Sequence, residues 1–561
     1  MKIFLYNKYF QTSGGGEKHA GGIAEILAKK HEVSILHEGK IDSDAIARRL
    51  NLDLSNVHFV QLGEASPDIE KEVLDYVRIH RPDLFINSTY LSSLVVDAPH
   101  RVALVFFPKY FYTKEPSLLE KIKYQAGSIL FREYEKKVRL QDGFSHEENN
   151  HGTLGRWSYK RSDILINGSF TYADIFFKDH NHRVIRDVVE SIRIHNKALN
   201  FLILEDRLRI HFNAEDATGI HLYFNTFKPI EFEENSHDER DLGLYITQVQ
   251  TDALSLFSRL VVKAWQMDRF RKLLNSFYIK KQIMREYYVY RDFLRKNLIL
   301  SNSNYTSGWI QRIYGKESLE IRLLYPPVDV EKFNNSRQKL NRIICVGRFF
   351  VGGHNKKQMD MIRAFKKMYD QYPEARNYEM DLCGGTHSGK LHQDYVALCR
   401  LSAQGYPIRF HLNIPFEELT ALYSEAKIFW HGAGMHENQH LHPDKFEHFG
   451  ITTVEAMASG CIPVVIGVAG QLEIVNHTDN GFLWTSEDEL IEYTLKLMRD
   501  DDLVKTISDK AVKSAEKFGR ESFNNEVENI FSKIVAQSFQ EKDRQVQLQS
   551  EGNLQSTLSA K

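Results

Sequence analysis

From Arg342 to about Lys517 the chain alternates short apolar runs with amphipathic stretches of helical length, beginning at RIICVGR. The run Cys461–Ile466 (CIPVVI) is apolar without interruption, so it reads as a strand buried on both faces of a parallel sheet. The chain opens with the same alternation. Lys2–Tyr6, Glu32–Glu38, Leu84–Asn87 and Arg101–Phe107 are expected as strands, and Glu17–Lys30 and Glu70–His80 as helices. Gly14, Gly15 and Gly16 are expected as a loop between the first strand and the first helix. Two α/β halves joined through the stiff pair Pro326-Pro327 leave a cleft between the C-terminal edges of two parallel sheets. Open sheets bind ligands at that edge.

Between the halves, from about Asp142 to Gln250, the period changes to two. RLRIHFN and GIHLYFNTF set Leu208, Ile210 and Phe212, and Ile220, Leu222 and Phe224, on single faces. Such alternation predicts an antiparallel, sandwich-like sheet that interrupts the first half. Thr251–Lys296 returns to helical spacing, and the Gln/Ser/Glu/Lys-rich residues from Gln537 read as a disordered tail.

A chain of 561 residues needs at least two cores. A net charge of −1 gives no basis for broad nucleic-acid binding. Four cysteines without metal-type spacing read as reduced core residues of a cytosolic protein. MKIFLYNKYF reads as a strand and not a signal peptide. No apolar run approaches the ~20 residues that span a bilayer, so membrane contact is expected to be peripheral at most. The basic-aromatic stretch KKQIMREYYVYRDFLRK could lie on an anionic membrane or pack as a partly buried helix.

The chemistry concentrates in FEHFGITTVEAMASG. Glu447 falls in a loop and Gly450 permits a tight approach. Ile451 and Thr452 begin a helix, and Glu455 is expected in its first turn. A helix N-terminus seats a phosphate, and flanking carboxylates accept hydrogen bonds from sugar hydroxyls. The pattern therefore points to a ligand carrying both groups. Upstream, Arg348 at the end of RIICVGR and Lys356 before the next helix can clamp a diphosphate and neutralise a departing one. The alternative is solvated surface charge. For the histidines His431, His436, His440, His442 and His448 a metal site, a polar loop and a sugar contact by His431 or Asp444 are alternatives; the spacing favours no metal. Gly470 and Gln471 repeat the turn-to-helix arrangement near the same edge. Neither glycine loop has the spacing of a P-loop or a dinucleotide site, which argues against a nicotinamide-dependent oxidoreductase.

VGRF, KKQMDMIRAF, IPFEELTALYSEAKIFW, FEHFGITTVEAMASG, GQLEIV and NGFLW, in this order, resemble the retaining GT-B glycosyltransferases of family four. Within that family GGGEK, NSNYTSGWI, YPPVDVEKF and EHFGI are similar to segments of lipid-linked-oligosaccharide mannosyltransferases and their bacterial relatives. The likeness is close over Arg342–Lys517, looser over residues 1–110 and 300–333, and absent over about 145–250.

The resemblance implies residues 1–144 as the first part of a Rossmann-like acceptor domain, which the period-two stretch, taken as 145–250, interrupts as an inserted β domain. Residues 251–333 complete the acceptor domain and linker, 334–517 form the nucleotide-sugar domain, 518–536 a helix crossing back, and 537–561 the tail. It implies Arg348 and Lys356 on the donor diphosphate, Glu455 on ribose hydroxyls and Glu447 on the donor sugar, all three of Arg348, Lys356 and Glu447 being catalytic. Gly450, Ile451, Thr452, His431 and Gly470 would line the donor pocket, and Gly14, Gly15 and Gly16 an acceptor or phosphate loop. The donor would be GDP-mannose or a UDP-sugar, with no other cofactor and no obligatory metal. The acceptor would be a glycan or lipid-linked glycan, in cell-surface polysaccharide or glycolipid synthesis, at the cytoplasmic face of a membrane. The chain departs from its relatives at VFFP, where Phe106 stands in place of a histidine. That departure and the insertion keep open a second reading, a non-catalytic sugar-nucleotide-binding partner of a transferase assembly.

Overall fold

A computed structural model describes residues 1–536, except Ser13 and residues 64–68, 111–114, 142–143, 146–147, 151–152, 169, 179–187, 195–196, 205, 212–217, 227, 229–239, 241, 316–318, 334–337, 353–354 and 387–388. The expectations for Phe212 and for the tail from Gln537 lie outside the described residues.

The chain divides into two compact units, Met1–Glu115 with Val289–Lys561, and Pro116–Tyr288. In the first unit a seven-stranded sheet has the order Ile321–Leu323, Leu298–Ser301, His100–Val105, Leu84–Asn87, Lys2–Tyr6, Glu32–Glu38, Val57–Leu62. Every pairing in it is parallel. A second, six-stranded sheet in the same unit is also parallel throughout, with Leu340–Val346 between Glu379–Gly384 and Ala426–His431. Parallel strands are covered on both faces, and Ile462–Ile466 accordingly buries all five residues. Each large apolar side chain so buried contributes roughly 1.5–3 kcal/mol.

A helix over residues 520–536 returns to the first lobe, where Phe523, Val527, Ile530, Phe531 and Ile534 join the core built on Ile3, Leu5 and Ile86. Arg520 at its start bonds Asp329 through Nε at 2.7 Å and Glu25 through a terminal nitrogen at 2.6 Å. Lys18 Nζ donates to the other Asp329 oxygen at 2.6 Å. One buried carboxylate thus ties the linker to the first helix and the last.

The unit Pro116–Tyr288 holds a six-stranded and a five-stranded sheet, antiparallel in every described pairing. Ile164, Ile192, Ile220 and Leu222 of one sheet share a core with Ile175, Leu208, Ile210 and Val249 of the other, as period-two alternation requires. Its strands run from Val138 to Thr251, while the compact unit extends to the helices on either side of them. The stretch KKQIMREYYVYRDFLRK belongs to the helix Asp268–Arg295 and is packed rather than presented. Lys280 pairs with Glu120 at 2.9 Å, Lys281 pairs with Glu135, and Met284, Tyr287, Tyr290, Phe293 and Leu294 are buried.

Candidate active site

The strand Leu340–Val346 stops before Gly347, so Arg348 stands two residues beyond its end, not on it. A Cβ on Gly347 would lie 2.6 Å from Lys356 Cγ. The glycine therefore lets the lysine stem cross the strand end, and Lys356 Nζ reaches Glu447 Oε2 at 2.6 Å. Arg348 is exposed, and among the described residues its guanidinium forms no ion pair.

Burial opposes ionisation of Glu447, but the Lys356 ammonium and the His431 hydrogen bond outweigh it and hold the carboxyl well below the usual range. His431 is 3% exposed and both its ring nitrogens are engaged. Gln471 Nε2 donates to Nδ1 at 3.4 Å, which leaves Nε2–H to donate to Glu447 Oε2 at 3.0 Å. Thr453 Oγ1 in turn donates to Gln471 Oε1 at 3.0 Å. His431 is thus behind Glu447, where it orients the carboxylate, and does not open to the cleft as a sugar contact requires. Sequence spacing marked Gln471 only as a helix start and carried no signal for Thr453, since their link to Glu447 joins a strand end and two separate helices.

The helix Ile451–Ala458 begins at Gly450, whose φ of +121° favours glycine. No side chain caps it and no acidic residue sits in its first turn. Among the described residues no backbone bond is made by the first two N–H groups, Ile451 and Thr452. Glu455 is the fifth residue of this helix and so falls in its second turn, not the first. Burial pushes its carboxyl up to about 7, against the pull of Lys18 and a 3.3 Å hydrogen bond from Tyr423.

Gly15 and Gly16 are the first turn of the helix Gly15–Ala28, not a loop. The Glu17 side chain accepts the Gly14 N–H at 2.8 Å and closes a capping arrangement two residues earlier than the apolar periodicity suggested. A Cβ on Gly15 would sit 3.1 Å from Ile451 Cδ1, and one on Gly16 would sit 3.2 Å from the Phe106 ring. The glycines therefore bring this helix end against the Gly450–Thr452 element. Gly470 answers a similar demand. Its N–H donates to Glu447 O at 2.9 Å and a Cβ there would meet Phe449 backbone at 2.5 Å, so it supports the Glu447 loop from behind.

Phe106 faces Gly16, and its carbonyl accepts from Thr306 Oγ1 at 3.0 Å. His19 does not replace the missing histidine. It is fully buried between Phe106 and Phe523, and burial lowers its pKa to about 3. The remaining histidines scatter: His448 stacks on Phe107 at 4.3 Å, and His436, His440 and His442 are exposed.

The two lobes touch around this site. Glu473 accepts the N–H groups of Asn304 and Tyr305, both at 2.8 Å, and the Tyr325 hydroxyl at 2.9 Å. It thereby caps the helix Asn304–Tyr314 of the opposite lobe. No sequence pattern marks a cap supplied from 169 residues away.

Two parallel α/β lobes with a cationic, glycine-framed helix tip between them define the GT-B glycosyltransferase fold. Residues 329–514 match the family model described as "Glycosyl transferases group 1". The chain is similar to the GDP-Man:Man(3)GlcNAc(2)-PP-Dol alpha-1,2-mannosyltransferase of Dictyostelium discoideum, 28% identical over 43% of this chain and 48% of that one. It is similar also to the Caenorhabditis elegans protein of that name, 28% identical over 41% of this chain and 50% of that one. The matched stretch spans about half the length of these relatives. The sucrose-phosphate synthase of Thermosynechococcus elongatus shares the fold, with a TM-score of 0.51 at 12% identity, covering 95% of this chain and 99% of that one.

Proposed function

We propose that this chain is a retaining glycosyltransferase that moves a hexose, mannose in the first instance, from a nucleoside diphosphate sugar to a glycan or lipid-linked acceptor. The observation that supports the proposal is the Lys356–Glu447 pair beside an uncapped helix tip at Gly450–Thr452, with the perturbed Glu455 on the same helix and the exposed Arg348 following Gly347, at the strand end that Lys356 crosses. The names of the mannosyltransferase relatives favour GDP-mannose as donor over a UDP-sugar.

In this reading Arg348 and the N–H groups of Ile451 and Thr452 receive the diphosphate, and Lys356 swings between Glu447 and the phosphate. Glu455 accepts the ribose hydroxyls and Glu447 a hydroxyl of the donor sugar, with His431 fixing its orientation. The bond from the anomeric carbon to the diphosphate breaks while a bond to the acceptor oxygen forms on the same face. The proton of the acceptor hydroxyl leaves with the nucleoside diphosphate. Positive charge placed before the reaction stabilises that leaving group as it forms. The protein would work at the cytoplasmic face of a membrane, where a lipid-linked acceptor is reached.

Incubation with GDP-mannose and a cell-envelope acceptor extract tests this. Glu447→Ala and Lys356→Ala are each expected to lower GDP release by about a hundredfold or more with far smaller effects on melting temperature. Near-normal turnover in both variants would reject the assignment. Phe106, which leaves no titratable group at its position, favours the non-catalytic reading, whose signature is tight GDP-mannose binding with no GDP release by the wild type.

A further inference from the structure

In the unit Pro116–Tyr288 the helix Leu118–Leu130 turns large apolar residues outward. Leu118, Ile122 and Ile129 fall at helical spacing on its solvent face, and Leu256, Phe257 and Leu260 do the same on the helix Leu256–Gln266. All six lie between 54% (Phe257) and 75% (Leu118) exposed. Interleaved with them on the exposed faces are Lys121, Arg132, Lys136 and Lys263, and among the described residues none of these cations forms an ion pair.

The carboxylates of the same segment are half-buried and occupied, with Glu133 in the wall of the groove between the helices. Glu120 bonds Ser117 and Lys280, Glu133 bonds Ser255 and Ser258, and Glu135 bonds Lys281 and Gln282. The two helices adjoin, since Ile129, Arg132, Lys136 and Phe257 line one groove of about 660 Å³.

Helices that give Glu120, Glu133 and Glu135 serine, lysine or glutamine partners, and leave leucines and lysines outside together, present a surface that is apolar and basic. Contiguous exposed apolar area marks an interaction site. The cores of protein–protein interfaces are depleted of lysine, whereas lysine and arginine stems snorkel readily at a lipid surface. No helix among the described residues is long and apolar enough to cross a membrane, so contact of this surface with a bilayer would be peripheral. We infer that this face, formed by the helices Leu118–Leu130, Arg132–Lys137 and Leu256–Gln266, docks on an anionic phospholipid bilayer. Leu118, Ile122, Ile129, Leu256, Phe257 and Leu260 enter the acyl boundary, and Lys121, Arg132, Lys136 and Lys263 meet lipid phosphates. The inference stands on this unit alone and does not rest on the proposed transfer reaction.

Flotation of the full chain with vesicles of phosphatidylcholine, with and without phosphatidylglycerol, tests it. The wild type should float with the phosphatidylglycerol vesicles. Leu256→Ser/Phe257→Ser/Leu260→Ser and Arg132→Glu/Lys136→Glu should each lower the bound fraction about tenfold. All substituted side chains are exposed, so melting temperatures should hold, and a nucleotide-induced melting shift should be equal in all three proteins. Failure of the wild type to float, or equal flotation by either variant, overturns the inference. So does light scattering that shows a dimer dissociated by the serine variant, which would give the face to a second copy. The nucleotide shift reads the proposed donor site separately from either result.

Discussion

Glu447 and Glu455 lie on either side of one helix start, and their surroundings push their proton affinities apart. Lys356 and His431 keep Glu447 ionised, whereas burial lifts Glu455 to about 7. Because the folded chain holds the Glu455 proton more tightly than the unfolded one, folding stability falls as pH rises from about 4.5 through 7. The loss amounts to roughly 3 kcal/mol, is complete above pH 8 and should vanish in Glu455→Gln. Urea titrations of both proteins at pH 5 and pH 8 measure it, and an equal fall in the variant would deny Glu455 this role. Hydrogen bonds from ribose hydroxyls favour the ionised form, so nucleotide binding near pH 7 should release a proton, seen as a buffer-dependent heat. The placement of Glu447, Glu455 and Lys356 around one strand end and one helix start was legible in the sequence, because charged groups at fixed offsets from such ends have few geometric outcomes, although Glu455 falls one turn later and Arg348 lies beyond its strand. His431 was legible as a residue of interest but not in its part. Its engagement on both nitrogens depends on Gln471 and Thr453, which only folding brings together.

Among the elements, the helix tip at Gly450 and the cap at Glu473 hold the site in place. Alanine at Gly450 must adopt a φ of +121°, and its Cβ would stand 3.0 Å from Gln471 Nε2. Gly450→Ala should therefore destabilise by about 1–3 kcal/mol and weaken nucleotide affinity, as chemical denaturation and calorimetry would show. Glu473→Ala leaves the Asn304 and Tyr305 N–H groups without their cap and should lower stability by about 1–2 kcal/mol. Glu473→Gln keeps an acceptor and should recover part of it. Strand positions were readable to within two residues because uninterrupted apolar runs leave little choice of register: Lys2–Tyr6, Glu32–Glu38 and Leu84–Asn87 form as expected. The start of the glycine helix was not, since glycine has low helix propensity and the capping bond from Glu17 decides the outcome.

For the whole molecule, the alternation of strand and helix in two series dictates two parallel sheets, and the period-two interlude dictates an antiparallel pair. What the sequence could not show was how Asp329, Lys18 and Arg520, hundreds of residues apart, join the first helix, linker and final helix in one ion network. A ligand that bridges two lobes binds the folded chain alone, so GDP at a hundredfold excess over its dissociation constant should stabilise by about 2.7 kcal/mol. The account turns on where the diphosphate sits, and a crystal structure of the chain with GDP measures that directly. The diphosphate is expected between Arg348, Lys356 and the Ile451 and Thr452 N–H groups, with both ribose hydroxyls on Glu455. A diphosphate bound away from the Gly450 helix tip, or a ribose that leaves Glu455 untouched, would contradict it.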